Sequence, residues 1–276
     1  MLKRKLSIDI EILKEPIIDE TPLKRYKTEL PVYHKNSVLI KKDEILDYGS
    51  YGTIYNATYN NRKVVVKKLY DKIGCHHLYS LKKLYNINEV NILRPLAISI
   101  CHRNIVYKKI EGVSLCYDEF QKKDDIIKLE LIKQLIDCVH NLHKYNIIHT
   151  DIKPNNFMID KDNKITLVDI DSCVSMIDNI PYMHFLYPHY GTIGYYRNIS
   201  KTVKYEDDLW ALGATIYNLY TNKFPYQEYL DNYVEKTDSE KIYFYENIYY
   251  DETKKLNFKN IDSVYIQKLI QDLMNN

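Results

Sequence analysis

Asp151, Lys153, Asn156 and Asp169 fall within one short run of this 276-residue chain. From His149 to Asp171 it reads H-T-D-I-K-P-N-N-F-M-I-D-K-D-N-K-I-T-L-V-D-I-D. Phe157–Ile159 is a short apolar run, and Ile165–Val168 is a second, rich in β-branched residues. Between them Asp160–Asn163 (D-K-D-N) is a polar turn, so the pattern predicts a β-hairpin. A hairpin sets the flanks of its two strands side by side. Asn156 precedes the first strand and Asp169 follows the second, so both belong at one end, with Asp151 on the preceding loop. An Asp, an Asn and a second Asp converging on one point make a hard oxygen site suited to Mg²⁺. One carboxylate is left over for a reacting hydroxyl.

These residues also resemble a known pattern. H-T-D-I-K-P-N-N is similar to the catalytic loop of eukaryotic-type protein kinases, H-R-D-x-x-x-x-N, and V-D-I-D to their D-F-G segment. The resemblance implies that Asp151 is the catalytic base, that Lys153 steadies the γ-phosphate, and that Asn156 and Asp169 hold Mg²⁺. A lysine two residues after the catalytic Asp resembles the serine/threonine branch.

The remaining site follows from elements on either side. In E-I-L-D-Y-G-S-Y-G-T-I-Y, Glu44–Tyr55, Gly49, Ser50 and Gly52 separate two apolar segments. Glycines there let the backbone approach phosphate oxygens and take dihedrals other residues avoid. The segment resembles the kinase glycine-rich loop, with Asp47 in place of its first glycine, and Asp47 is expected to point outward. R-K-V-V-V-K-K-L, Arg62–Leu69, reads as a strand and resembles V-A-I-K, which makes Lys67 the residue on the α- and β-phosphates. Strand alternation turns Lys68 to the other face.

The family pairs this lysine with a Glu on the next helix. Here that position falls near Ser80, and no Asp or Glu occurs from Lys72 to Asn88. Ile105–Leu115 resembles the inter-lobe hinge, with Tyr107 as a bulky gatekeeper and backbone groups of Lys108–Ile110 on adenine.

From Asp124 to Tyr145 the residues Ile127, Leu131, Ile132, Leu135, Ile136, Val139 and Leu142 recur at three- and four-residue spacing, an amphipathic helix that leads into the catalytic loop. His140 and His143 read as surface residues of this helix. Beyond Asp169, Ile170 and Asp171 replace the Phe and Gly of D-F-G, and Thr150 stands where many kinases have Arg. Tyr190–Asn198 (Y-G-T-I-G-Y-Y-R-N) resembles the peptide-docking segment, with Thr192 near Asp151 and Lys153. Its P-E is missing, and so is any Arg after Arg197 that would pair with that Glu. Glu206–Tyr220 resembles the D-x-W-S-x-G helix, with Asp208 capping the catalytic loop and Trp210 in the core. Asp262–Met274 reads as a last amphipathic helix.

Composition bounds the rest. A 45% hydrophobic content supports a core, and a net charge of +2 gives no pull towards nucleic acid or membrane. The 28 tyrosines, with few Arg and Gly, fit an AT-rich genome such as that of a large DNA virus or a protist. Five cysteines without a C-x-x-C pair point to a reducing intracellular compartment. The start, M-L-K-R-K-L, lacks the apolar core of a signal peptide. The expected location is cytoplasmic, in the host cell if the source is viral. Lys3-Arg4-Lys5 and Lys24-Arg25 are more simply a solvated basic arm than a nuclear address. No apolar run approaches the ~18 residues of a membrane span.

The resemblance therefore implies an α+β, two-lobed protein kinase-like fold. An arm occupies residues 1–35, a small β-rich N-lobe about 36–109, a hinge about 108–112, and a larger helical C-lobe about 113–276. The implied reaction moves the γ-phosphoryl of MgATP to a Ser or Thr hydroxyl of a protein. The alternative is a pseudokinase that binds or inhibits another kinase or its substrate; Asp47, the absent helix Glu, Thr150 and Asp171 favour it. A small-molecule kinase shares H-x-D-x-x-x-x-N, but Lys153, G-T-x-x-Y and the D-x-W helix argue against it. Substrate identity and oligomeric state leave no trace in the sequence.

Overall fold

The computed structural model describes residues 29–33, 37–49, 51–101, 103–177, 180–181, 203–230, 248, 251 and 253–275. Strands β1 (Val38–Tyr48), β2 (Gly52–Tyr59), β3 (Arg62–Leu69), β4 (Pro95–Ser99) and β5 (Asn104–Lys108) form an antiparallel sheet in the order β1-β2-β3-β5-β4. Asn60 and Asn61 join β2 to β3 with φ of 49° and 60°. Paired positive φ values suit a two-residue hairpin turn, and Asn tolerates them. Helix α1 (Cys75–Tyr85) lies between β3 and β4 in the chain.

Alternation along β3 sorts its side chains. Val64 and Val66 pack with Val38, Ala57, Ala97 and Val106 on one face. Val65 and Leu69 pack on the other, with Ile105, Tyr107 and the α1 residues Leu81 and Leu84. Lys67 belongs to this second face and is buried, whereas Lys68 is exposed, as the alternation predicts. Opposite β3, Val65 faces Tyr107 and Lys67 faces Ile105. Lys67 and Tyr107 therefore share one face on adjoining strands.

Of the predicted arm, residues 29–33 are described, and they run along β4. Val32 bridges Ile98 in parallel, the Tyr33 N–H donates to the Ile98 carbonyl, and the Ile98 N–H donates to the Pro31 carbonyl. Leu30 is buried in the core.

The larger part is mainly helical. Helix α2 (Tyr117–Gln121) is short and α3 (Asp125–Lys144) is long. The Asp124 carboxylate caps α3 by accepting from the Ile127 N–H at 2.9 Å. Leu131, Ile132, Leu135, Ile136, Val139 and Leu142 are buried along it, which is the expected stripe. Helices α4 (Tyr205–Thr221), α5 (Gln227–Leu230) and α6 (Val264–Met274) follow. Trp210 is core, and α6 packs closely on α4 at Gly213, where a Cβ would meet Met274 Cγ at 2.7 Å. Six short strands complete the frame: β6 (Val113–Ser114), β7 (Ile147–Ile148), β8 (Phe157–Ile159), β9 (Ile165–Leu167), β10 (Val174–Ile177) and β11 (Ile180–Pro181). The whole is the two-lobed α+β architecture that the resemblance implied.

Candidate active site

The predicted hairpin forms as β8 and β9, with Phe157 opposite Leu167 and Ile159 opposite Ile165. Its turn closes because Asp160 Oδ1 accepts the N–H groups of Asp162 and Lys164, each at 2.9 Å. At the open end the Val168 N–H donates to the Asn156 carbonyl at 2.8 Å. That bond sets Asn156 beside the start of V-D-I-D, as the hairpin reading required.

The loop before β8 is held from below by α4. Asp208, fully buried, accepts the His149 N–H at 2.7 Å and the Thr150 N–H at 2.9 Å. His143 of α3 reaches the same carboxylate at 2.9 Å. His143 is thus a partner of Asp208, a correction to its reading as a surface residue; periodicity reports the face of a helix but not what packs there. The Asp151 N–H donates to His149 Nδ1 at 3.2 Å, so His149 Nε2 carries the proton that reaches the Val168 carbonyl at 3.1 Å. His149 thereby ties the loop to the strand that delivers Asp169.

Asp151 is buried at the mouth of this loop. Its Oδ2 is fixed by Lys153 Nζ at 2.8 Å and by Asn156 Nδ2 at 3.0 Å. Its Oδ1 is buried and has no hydrogen-bond partner among the described residues. Burial pushes the Asp151 carboxyl above the ordinary range, and the Lys153 ammonium only partly offsets that. A carboxylate oxygen left without a donor suits a hydroxyl that gives up its proton.

Asp169 takes a φ of 56°, in the left-handed region, and starts the short turn Ile170–Ser172. Its carboxylate meets Lys67 Nζ from β3. Asp171 meets the same ammonium at 2.5 Å, and the Tyr107 hydroxyl donates to the other oxygen of Asp171. Burial alone would lower the Lys67 pKa, but Asp171 and Asp169 together hold it above the ordinary lysine value. Burial would likewise raise Asp171, and the Lys67 ammonium, with His77 of α1, holds it below the usual carboxylate range instead.

These contacts revise one expectation. Asp171 counted as a loss, a Gly replaced, yet it is a partner of Lys67. Ser80, near which the family's helix Glu would fall, turns its hydroxyl to Ser175 of β10 at 3.1 Å. The signal was present as two departures read separately: an acid absent from the helix and an acid gained two residues after Asp169. Tyr107, read as a gatekeeper, carries a hydroxyl whose role the sequence did not show.

The glycine segment does not use the dihedrals expected of it, a correction to that part of its reading. Among the described residues no glycine has a positive φ. Gly52 is required because a Cβ would meet the Lys68 carbonyl oxygen at 2.4 Å, where β2 starts against β3. The Gly49 N–H donates to the Gly52 carbonyl at 2.9 Å, closing the turn. Ser50 lies outside the described residues, as do Thr192 and the rest of Tyr190–Asn198. Asp47 is exposed, and its Oδ1 accepts the Tyr48 N–H at 2.8 Å. Lys108 ends β5 opposite Val64, and Ile110 lies on the connection to β6. Gly112 lets that connection pass β8, since a Cβ there would meet the Ile159 carbonyl oxygen at 2.5 Å.

The donor set also fits a divalent cation shared with a phosphate substrate. Among the described residues no group of three His, Cys, Asp or Glu side chains could hold a metal by itself. The Asp169 carboxylate is a third exposed, and the Asn156 amide nitrogen is spent on Asp151, which leaves the amide oxygen as the atom it could offer a cation. One carboxylate and one amide oxygen form a partial hard site that phosphate oxygens would complete.

The family model for the protein kinase domain matches residues 40–276. This chain belongs to the protein kinase family. The kinase is 28% identical over 197 residues to a probable cell division protein kinase of Encephalitozoon cuniculi, covering 64% of this chain and 69% of that protein. It is 26% identical over 219 residues to serine/threonine-protein kinase 1 of African swine fever virus, covering 74% and 66%. It is also 26% identical to a receptor-like protein kinase of Arabidopsis thaliana, of whose length the match covers only 31%. No helix among the described residues of the kinase is long and apolar enough to cross a membrane.

Proposed function

We propose that this kinase transfers the γ-phosphoryl group of MgATP to a serine or threonine hydroxyl of a protein. The arrangement of Asp151 carries the reading: one oxygen held by Lys153 and Asn156, the other buried and without a hydrogen-bond partner among the described residues. Asp151 accepts the hydroxyl proton as the hydroxyl oxygen bonds to the γ-phosphorus and the bond to the β–γ bridging oxygen breaks. A positioned base of this kind contributes about 10²–10⁴-fold. Lys153, at 2.8 Å from Asp151, orients the base and offers its ammonium to the transferring group. Lys67 offers the second cation for phosphate oxygens, and Gly49 and Gly52 would let backbone come close to them. Asn156 and Asp169 would hold Mg²⁺, which when bound neutralises charge on the β- and γ-phosphates. Lys108 and Ile110 supply backbone groups at the adenine edge. Lys153 supports the serine/threonine assignment, as does the viral serine/threonine kinase among the relatives.

The rival reading, a binding module without turnover, drew on four departures. The Lys67–Asp171 pair answers two of them at once, the absent helix acid and the acid after Asp169. Transfer from radiolabelled ATP to the protein itself and to a generic Ser/Thr substrate tests the proposal. Wild type should label both, and Asp151→Asn should lower transfer by at least about 10²-fold. A folded wild-type protein that labels neither would overturn the reading in favour of the binding module.

A further inference from the structure

We infer that Asp171 is the positioning carboxylate for Lys67, taking the place of a helix acid, and that Tyr107 holds Asp171 in that role. The inference rests on the phosphotransfer reading above. It begins from the burial of Lys67, whose side chain is 6% exposed. A buried ammonium without a counter-charge is strongly destabilising, so a partner is obligatory. Among the described residues only Asp169 and Asp171 form ion pairs with it.

The two acids are not equivalent. Asp169 is 33% exposed and Asp171 is 3% exposed. Asp169 therefore faces the side from which a cation and phosphates arrive, and a carboxylate drawn to a cation is a weaker partner for Lys67. Asp171 lies behind, its one oxygen on Lys67 at 2.5 Å and its other accepting the Tyr107 hydroxyl. Both Lys67 and Tyr107 project from the same face of the sheet, so β3 and β5 present the ammonium and the hydroxyl together.

Helix α1 supplies no acid to the pair. Its Ser80 is committed to Ser175, and His77 acts on Asp171 by helping to hold its pKa down. The partner of Lys67 is instead borne two residues after Asp169, on the same short turn. Forming the pair thus depends on that turn and on β5 and needs no acid from α1. This kinase would assemble the lysine site without a helix movement.

Two cycles on the 276-residue chain test this, using Lys67→Met, Asp171→Asn and the double variant, with Tyr107→Phe alongside. The first is thermal melting without nucleotide or metal. A buried pair predicts that each single change lowers the midpoint and that the double variant loses less than the two losses together. The second is phosphoryl transfer at saturating and limiting ATP. Asp171→Asn should lower kcat by about 10²-fold, the effect expected of a misplaced catalytic group, with a much smaller change in KM for ATP. In the Lys67→Met background the same change should have less than about a twofold effect. Tyr107→Phe should lower kcat by about 3–10-fold and stay folded, which decides the matter if Asp171→Asn fails to fold. Transfer that persists in Asp171→Asn, or losses that add fully to those of Lys67→Met, would overturn this inference alone. No transfer from folded wild-type protein would overturn the phosphotransfer reading, and the role of Asp171 with it.

Discussion

Thr150 carries a branched side chain at a φ of 69°, a conformation that costs a β-branched residue about 1–2 kcal/mol. The strain persists because Asp208 pins the backbone leading into Thr150, accepting the N–H of His149 and of Thr150 itself. A buried carboxylate that satisfies two buried donors over-determines the loop, and the strain is one consequence of placing Asp151 at its mouth. Two expectations follow at this scale. Thr150→Asn keeps a polar side chain and tolerates the left-handed region, so it should raise stability by about 0.5–1 kcal/mol with transfer retained. A urea midpoint that falls would show that the threonine side chain contributes more than its backbone costs. Asp208→Ala leaves two buried N–H groups without an acceptor and should lower stability by about 3 kcal/mol. Retained transfer in that variant would mean that the loop holds its shape without the cap.

Among the elements, α1 is coupled to the catalytic loop by a lysine. Lys83 Nζ donates to the Asn146 carbonyl at 3.0 Å, just before β7, and burial pushes its pKa down to about 8. In the unfolded chain the amine keeps its ordinary value of 10.5. Below both values the amine is charged in both states, and the fold bears the full cost of burying that charge. Between them the folded state sheds its proton while the unfolded state keeps it, so this site's contribution to stability rises with pH. Lys83→Met lacks the titration. The difference in urea midpoint, wild type minus variant, should therefore shift in favour of wild type between about pH 7 and about pH 9.5. A difference that stays constant with pH would place the amine in solvent. Element by element, the chain was legible wherever the signal is local. The hairpin around Asp160, the α3 stripe and the side of β3 that bears Lys67 all follow from period and turn chemistry within a few residues. Asp171 on Lys67, His143 on Asp208 and Lys83 on Asn146 were not legible. Each joins residues far apart in the chain, and nothing in local spacing says which buried polar groups will meet. The need for Gly52 was visible, but its cause was not, because a close approach of β3 is a tertiary fact.

At the scale of the molecule, two lobes share the larger of two buried apolar clusters, the smaller lying on the other face of β3. The buried apolar cluster is continuous from Leu30 beside β4, through Leu81 and Leu84 of α1 and Leu135 of α3, to Leu269 and Leu273 of α6. Polar ties cross the same boundary: Lys67 with Asp169 and Asp171, Ser80 with Ser175, and Lys83 with Asn146. A cleft between lobes suggests two cooperative units, but a cluster that spans both favours one. Leu30 is the most informative place to probe this, because it comes from the segment ahead of the sheet and is only 3% exposed. Leu30→Ala removes apolar contacts from the joint cluster and should cost about 2–5 kcal/mol. If the lobes melt together, calorimetry should show one transition for wild type and one, displaced downward, for Leu30→Ala. A variant trace that splits into an early and an unchanged late transition would mean that the segment braces the small lobe alone. In that case the contacts across the cleft would be too weak to couple the lobes, and the site between them would be assembled from independently stable halves.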